Sequence, residues 1–249
     1  MADYPVELRA DPSLWLFLPP RHRRASFTVA YDGTSSLGHL VESAGVPLPE
    51  VGELRIGGRQ AAPAQRVPPG QPVTVLAVQR PQPLPPGPAR FCLDVHLGTL
   101  ARRLRLLGLD TWYRNDASDG TLIEVAAASG RVLVTRDRGL LRRRAVLLGA
   151  YARGDRPDDQ LADLLDRFAP PIAPWTRCPA CNGPLRPAAK SEVTALLQPG
   201  TRRTYQQFAR CQECGRVYWH GAHGRRLEAM VARAREVVAA RAGQPRPPR

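Results

Sequence analysis

The chain has 249 residues, is 43% hydrophobic and 23% charged, and carries a formal net charge of +14. It holds no run of about 18 apolar residues, which argues against an apolar spanning helix. The opening "MADYPVELRADPSLW" lacks the basic n-region and apolar h-region of a signal peptide, so a cytoplasmic location is expected.

The first 80 residues, with 8 basic and 7 acidic side chains, read as a small α+β module. "SFTVAY" (Ser26–Tyr31) alternates like a strand, and "SLGHLVESAG" (Ser36–Gly45) places Leu37, Leu40, Val41 and Ala44 on one helical stripe before a glycine. "ELRIGGRQ" (Glu53–Gln60) predicts strand, Gly-Gly turn, strand, and "QPVTVLAV" (Gln71–Val78) a last strand. Strands around one helix suggest a β-grasp, ubiquitin-like fold. Carrier chemistry in that fold needs a free C-terminal Gly-Gly. Here Gly57-Gly58 is internal, so a docking module with an unknown protein partner is expected.

Residues 81–89 form a linker. Five of the eight positions from Pro81 to Pro88 are proline, which favours an extended polyproline II spacer. Residues 90–170 then alternate strand and helix. Strands are expected at "RFCLDV", "DTWYR", "RVLVT" and "AVLLGAY", and helices at "LGTLARRLRLLG", "SDGTLIEVAAASG", "RGLLRRR" and "PDDQLADLLDRF". That order with short connections predicts an α/β fold: a mainly parallel sheet with helices on both faces. Cys92, alone in an apolar run, is a candidate core residue.

Residues 171–222 carry "CPAC" (Cys178, Cys181) and "CQEC" (Cys211, Cys214), separated by 29 residues. Two CxxC turns in a cytosolic chain offer four thiolates to one tetrahedral ion, the pattern of a structural zinc ribbon. The long gap implies an insertion or extra strands. His220 and His223 are weaker alternative ligands. Residues 223–249 predict a basic helix and a tail. Beyond residue 170 there are 14 basic and only 4 acidic side chains, a balance that suits a polyanion, above all nucleic acid.

A second constellation is acidic. Asp94 ends the first strand of residues 90–170, Asp116 and Asp119 follow the second, and Asp137 follows the third. In a parallel sheet these positions lie outside the carboxyl ends of the strands, where ligands bind. Converging carboxylates need a cation, and hard oxygen donors select Mg²⁺ or Mn²⁺. Asp119 and Asp137 each also read as helix caps. Asp94 directly after "FCL" is harder to dismiss, since a carboxylate ending a buried strand needs a partner. Glu124 and Asp155 are weaker candidates. Arg102, Arg103, Arg136 and Arg138 are candidate RNA contacts, each also readable as a solvated helix face.

"FCLDVHLGTLARRLRLLGLDTWYRND", "SDGTLIEVAAASGRVLVTRDRGL", "DDQLADLL", the two CxxC pairs and "VYWHGAH" together resemble the Mut-seven C-terminal RNase family: a PIN-like domain fused to a zinc ribbon. The first 80 residues, including "ESAGVPLPEV", resemble the ubiquitin-like domain often attached to it. The resemblance implies metal-dependent endoribonuclease chemistry. It puts the family's acids on Asp94, Asp119 and Asp137, and its zinc ligands on Cys178, Cys181, Cys211 and Cys214. It also matches Tyr218, Trp219, Gly221 and His223, with Trp219 placed either to stack on a base or to pack the ribbon. The competing expectation is a non-catalytic RNA-binding or ribosome-associated adaptor that works through the ribbon and the basic C-terminus.

Overall fold

The computed structural model describes residues 3–219, 221 and 224–242. His220, His223 and the tail after residue 242 lie outside them. The N-terminal sheet is built from β1 (Tyr4–Ala10), β2 (Phe27–Tyr31), β3 (Val51–Ile56), β4 (Arg59–Ala61) and β5 (Val73–Ala77), with helix α1 (Leu37–Ala44). Its order is β2-β1-β5-β3-β4. β1 and β5 run parallel at the centre and the other pairings are antiparallel. This mixed sheet around one helix is the ubiquitin-like arrangement. β1 was not expected from the sequence, although Val6, Leu8 and Ala10 alternate inward along it. Ser36 caps α1 by accepting from the His39 amide. Gly57 and Gly58 turn β3 into β4 with φ of 54° and 83°, left-handed angles that glycine adopts without steric cost.

Residues 90–170 hold β6 (Arg90–Leu93), α2 (Gly98–Leu106), β7 (Asp110–Tyr113), α3 (Asp119–Ala128), β8 (Val132–Thr135), α4 (Arg138–Leu141), β9 (Gly149–Tyr151) and α5 (Pro157–Phe168). The sheet order is β7-β6-β8-β9, and β6 is parallel to both β7 and β8. Phe91, Cys92, Leu93 and Val132, Leu133, Val134 are fully buried, as strands covered on two faces must be. Burial pushes the Cys92 thiol up to about 12, so this cysteine is an inert core residue, as expected. β9 is shorter than the expected Ala145–Tyr151 strand; Leu147 is 83% exposed and ends no core stripe.

The third part comprises β10 (Leu185–Ala188), α6 (Lys190–Val193), α7 (Pro199–Thr204), β11 (Phe208–Cys211), β12 (Val217–Trp219) and the helix α8 (Gly224–Ala242). β10, β11 and β12 form an antiparallel sheet in that order. The 29-residue gap between the cysteine pairs thus holds β10, the short helices α6 and α7, and most of β11. α8 packs on α5, where Arg241 and Arg80 both pair with Asp166. Among the described residues no helix is long and apolar enough to cross a membrane.

By contacts the chain divides into two compact units, residues 1–79 with 135–151, and residues 80–134 with 152–249. In the first unit, residues 135–151 are gripped by the ubiquitin-like fold. The Arg138 guanidinium donates to the carbonyls of Leu16 and Phe17 and lies over the Phe17 ring. Arg142 donates to Gly45 O at 2.7 Å. The Tyr151 amide donates to the buried Glu50 carboxylate at 2.8 Å, and Leu141 and Tyr151 join the apolar core. In the second unit the proline-rich stretch begins tied down rather than free. Arg80 pairs with Asp163 and Asp166, and Gln82 exchanges hydrogen bonds with Arg167.

Candidate functional site

The two CxxC turns are closed by backbone hydrogen bonds. Cys178 N donates to Gly183 O, and Cys211 N to Arg216 O. The turns approach so closely that a Cβ on Gly183 would stand 2.3 Å from Glu213 Cγ and 3.2 Å from Cys211 Sγ, so only glycine fits there. Cys178 and Cys211 are buried, Cys181 and Cys214 exposed, and all four are free. Their sulfurs lie within 4.8 Å of one another, the one such group of three or more metal-capable side chains among the described residues.

The distances decide between disulfide and metal. Cys178 and Cys214 sulfurs stand 3.7 Å apart, and those of Cys181 and Cys211 3.4 Å. A disulfide needs about 2.0 Å. A tetrahedron with bonds of about 2.3 Å to zinc has edges of about 3.8 Å. Backbone amides of Gly183 and Cys214 point at Cys181 and Cys211 sulfurs, each at 3.5 Å, which favours thiolates. Four thiol donors, their tetrahedral spacing and the amides directed at two of the sulfurs fit a closed structural zinc site. The Tyr218 hydroxyl lies 3.0 Å from Cys178 Sγ and donates to it once that sulfur is a thiolate. Sequence reading matched Tyr218 to the family pattern without giving it this role.

The first turn is also bolted to the parallel sheet beside it. Buried Arg105 on α2 donates to the carbonyls of Thr111, Pro179 and Ala180. Asn182 accepts from the Thr111 amide and donates to Asp110, which also pairs with Arg131 and Arg177. Burial alone would raise the Asp110 carboxyl, but Arg131, Asn182 and Arg177 together hold it below its usual value. Its stabilisation is therefore present above the unfolded value of about 3.9 and fades as pH falls through the lower folded value. Asp110→Asn should flatten the acid limb of unfolding of this unit, read as melting temperature against pH from about 6 to 2. An unchanged acid limb would exclude Asp110 as the latch.

The acids are placed as follows. Asp94 is 7% exposed; its amide extends the ladder to Val134 O, and its Oδ1 accepts from the Val95 amide at 2.6 Å. Asp119 lies in the first turn of α3, but the cap is Ser118, whose hydroxyl accepts from the Thr121 amide. Asp137 does cap α4: its Oδ1 accepts from the amides of Gly139 and Leu140 at 2.6 and 3.2 Å, a bond pattern that leaves Oδ2 out. Asp116 is held by Arg114 through two hydrogen bonds. Arg102 and Arg136 are exposed, Arg103 pairs with Asp158 at 2.9 Å, and Arg138 is engaged with Leu16 and Phe17 as described. Trp219 is 39% exposed and packs against the Tyr205 and Phe208 rings.

Compared with known families, residues 89–231 match the Mut7-C RNAse domain. The chain belongs to the Mut7-C RNase family. Residues 4–83 match the Mut7-C ubiquitin domain, in agreement with the mixed N-terminal sheet. Neither the curated proteins nor the solved structures gave a match to the chain. A Mut7-C RNase domain thus carries the parallel sheet, with the four-cysteine cluster inside the matched span.

Proposed function

We propose that this Mut7-C protein is a metal-dependent endoribonuclease that hydrolyses RNA phosphodiester bonds with Asp94, Asp119 and Asp137 as ligands of Mg²⁺ or Mn²⁺. The observation that carries the reading is Asp94, a carboxylate only 7% exposed that directly follows the buried Phe91, Cys92 and Leu93 at the carboxyl end of β6. That end of a parallel strand is where ligands bind in such sheets, and a carboxylate there is a hard oxygen donor of the kind Mg²⁺ and Mn²⁺ select. When bound, a hard divalent cation supplies an acidified water and neutralises charge at phosphorus. The side chains do the remaining work. Asp94 fixes one ligand position through the short bond from Val95 N. Asp119 is relieved of capping by Ser118. Asp137 caps with Oδ1 and keeps Oδ2 for a ligand. The exposed Arg102 and Arg136 supply cations for the RNA backbone.

The test separates cap from ligand at Asp137. Asparagine caps about as well as aspartate but lacks its charge. Cleavage of a labelled RNA panel in Mn²⁺ should fall at least about 10²-fold for Asp137→Asn, a loss of about 2.7 kcal/mol in barrier lowering, with the melting temperature unchanged. Asp137→Ala should add a stability loss of about 0.5–2 kcal/mol. Wild-type cleavage by Asp137→Asn removes Asp137 from the proposal. No cleavage by the wild type, with binding that weakens steeply in salt, replaces it with the adaptor reading that the excess of basic over acidic groups beyond residue 170 favours.

A further inference from the structure

One buried cation has no acid of its own. Arg105 on α2 is 4% exposed, and the hydrogen bonds it makes go to neutral carbonyls: Thr111 O at 2.9 Å, Pro179 O at 3.2 Å and Ala180 O at 2.9 Å. A guanidinium does not shed its proton in a protein, so burying it without a counter-charge is costly. Its neighbours enlarge the deficit. Arg131 and Arg177 both pair with Asp110, at 2.7 and 3.5 Å. Three guanidiniums thus gather round one carboxylate, and two positive charges in this cluster are unmatched.

The matching charge lies in the ribbon. Pro179 and Ala180 are the two residues between Cys178 and Cys181, so Arg105 reaches into the first metal-binding turn. The negative groups that favour its charge are, in order, the Cys178 sulfur, the Cys181 sulfur and Asp110. Four thiolates around one Zn²⁺ carry two negative charges in excess. The loaded site and the arginine cluster are therefore equal and opposite. Four neutral thiols would leave the cluster out of balance, with the buried cation facing uncharged sulfur.

We propose that Arg105 is the counter-ion of the zinc–thiolate centre, so that loading the metal and seating α2 on the sheet of the RNase domain are one event. The inference rests on the four cysteines holding zinc, and not on which acids cut RNA. Its reach is toward the proposed nuclease site, because α2 follows directly on the Val95–Leu97 turn that Asp94 caps.

The experiment is competition for zinc between the full chain and a chromophoric chelator at neutral pH. Arg105→Gln removes the charge and keeps an amide that can donate to carbonyls; its zinc affinity should fall about 10- to 100-fold, the scale for losing a group that supports metal ligands. Arg105→Lys keeps the charge and should stay closer to the wild type than to Arg105→Gln. Asp110→Asn disturbs the same hydrogen-bond network but removes a negative charge, so its affinity should hold or rise. A scaffold that works by packing alone predicts the reverse, since both substitutions loosen one latch. Arg177→Gln, at a half-buried position, should weaken zinc in the same direction as Arg105→Gln and by less. Hydrogen exchange supplies a second readout. Stripping zinc from the wild type should expose the amides of α2 and β7, while those of the N-terminal sheet keep their protection. The proposal is overturned by an Arg105→Gln chain that binds zinc as tightly as the wild type, by an Asp110→Asn chain that weakens as much as Arg105→Gln, or by α2 and β7 amides that stay protected without zinc. If Arg105→Gln does not fold, Arg177→Gln and Asp110→Asn decide: a fall in affinity for both overturns the counter-ion. A wild type that takes up no zinc refutes the metal site itself; one that holds a full equivalent, indifferent to these charges, refutes only the counter-ion.

Discussion

Asp94→Asn should abolish RNA cleavage, by about 10³-fold or more, while the protein keeps its fold and one equivalent of zinc. The size follows from the position. Asp94 sits where β6 ends, with its backbone already committed to Val134 and one oxygen to Val95. Asparagine is nearly isosteric and can still accept from the Val95 amide, so packing is preserved. What is lost is a negative charge in a poorly hydrated place, where it interacts with a cation far more strongly than an exposed acid could. A 10³-fold effect is about 4 kcal/mol in the barrier, the scale of removing one electrostatic element from a reaction site. Circular dichroism and zinc content should match the wild type, so that the loss is one of chemistry and not of fold. The decisive control is cleavage across a range of Mn²⁺ concentrations: rescue of the variant to wild-type rate at high Mn²⁺ would reduce Asp94 to tuning affinity, and full activity at ordinary Mn²⁺ would remove it from the site.

Cys211→Ser should release the zinc and unfold the ribbon, while the ubiquitin-like unit stays folded. The ribbon's own apolar core is small: Ala188, Val193, Leu197 and Phe208 are its buried members. A core of that size cannot offset the chain entropy of some forty ordered residues. The metal must supply the difference, and structural zinc sites supply about 10–16 kcal/mol of apparent binding energy. Cys211 is buried and faces Cys181 across the site, so serine leaves three thiolates and a poor fourth donor in a closed tetrahedron. Zinc released on denaturation should fall from one equivalent per chain to near none, and limited proteolysis should cut within residues 185–219. A variant that still carries a full equivalent of zinc would show that three cysteines and another group suffice.

The two CxxC pairs were legible because metal ligation is written in local spacing. The covered sheet was legible because buried strands are short apolar runs bounded by helices. β1 was missed for a related reason: "YPVELRA" opens with a proline and carries Glu7 and Arg9 outward, so its period-two pattern competes with loop signals. Asp119 also reads as a cap of α3, yet Ser118 takes that place: both are capping residues, and only backbone angles choose between them. Arg138 read as a nucleic-acid contact, yet the structure ties it to Leu16 and Phe17, more than a hundred positions earlier. Asp110 and Asn182 lie 72 residues apart and carry no motif. Such pairings live in tertiary distance, which a single sequence does not print.

The grip of the ubiquitin-like fold on residues 135–151 has a consequence for synthesis. Fifty-five residues that belong to the other unit, 80–134, leave the ribosome between the two parts of the first one. The N-terminal fold therefore emerges with its core open where Leu141 and Tyr151 will sit, and with Glu50 awaiting the Tyr151 amide. Closure of the first unit is a late, non-local event, the kind that slows folding because a long loop must be ordered first. The two family matches are consecutive along the chain, but the units they build are interlaced, and neither is a cassette that can be cut out at the proline-rich boundary.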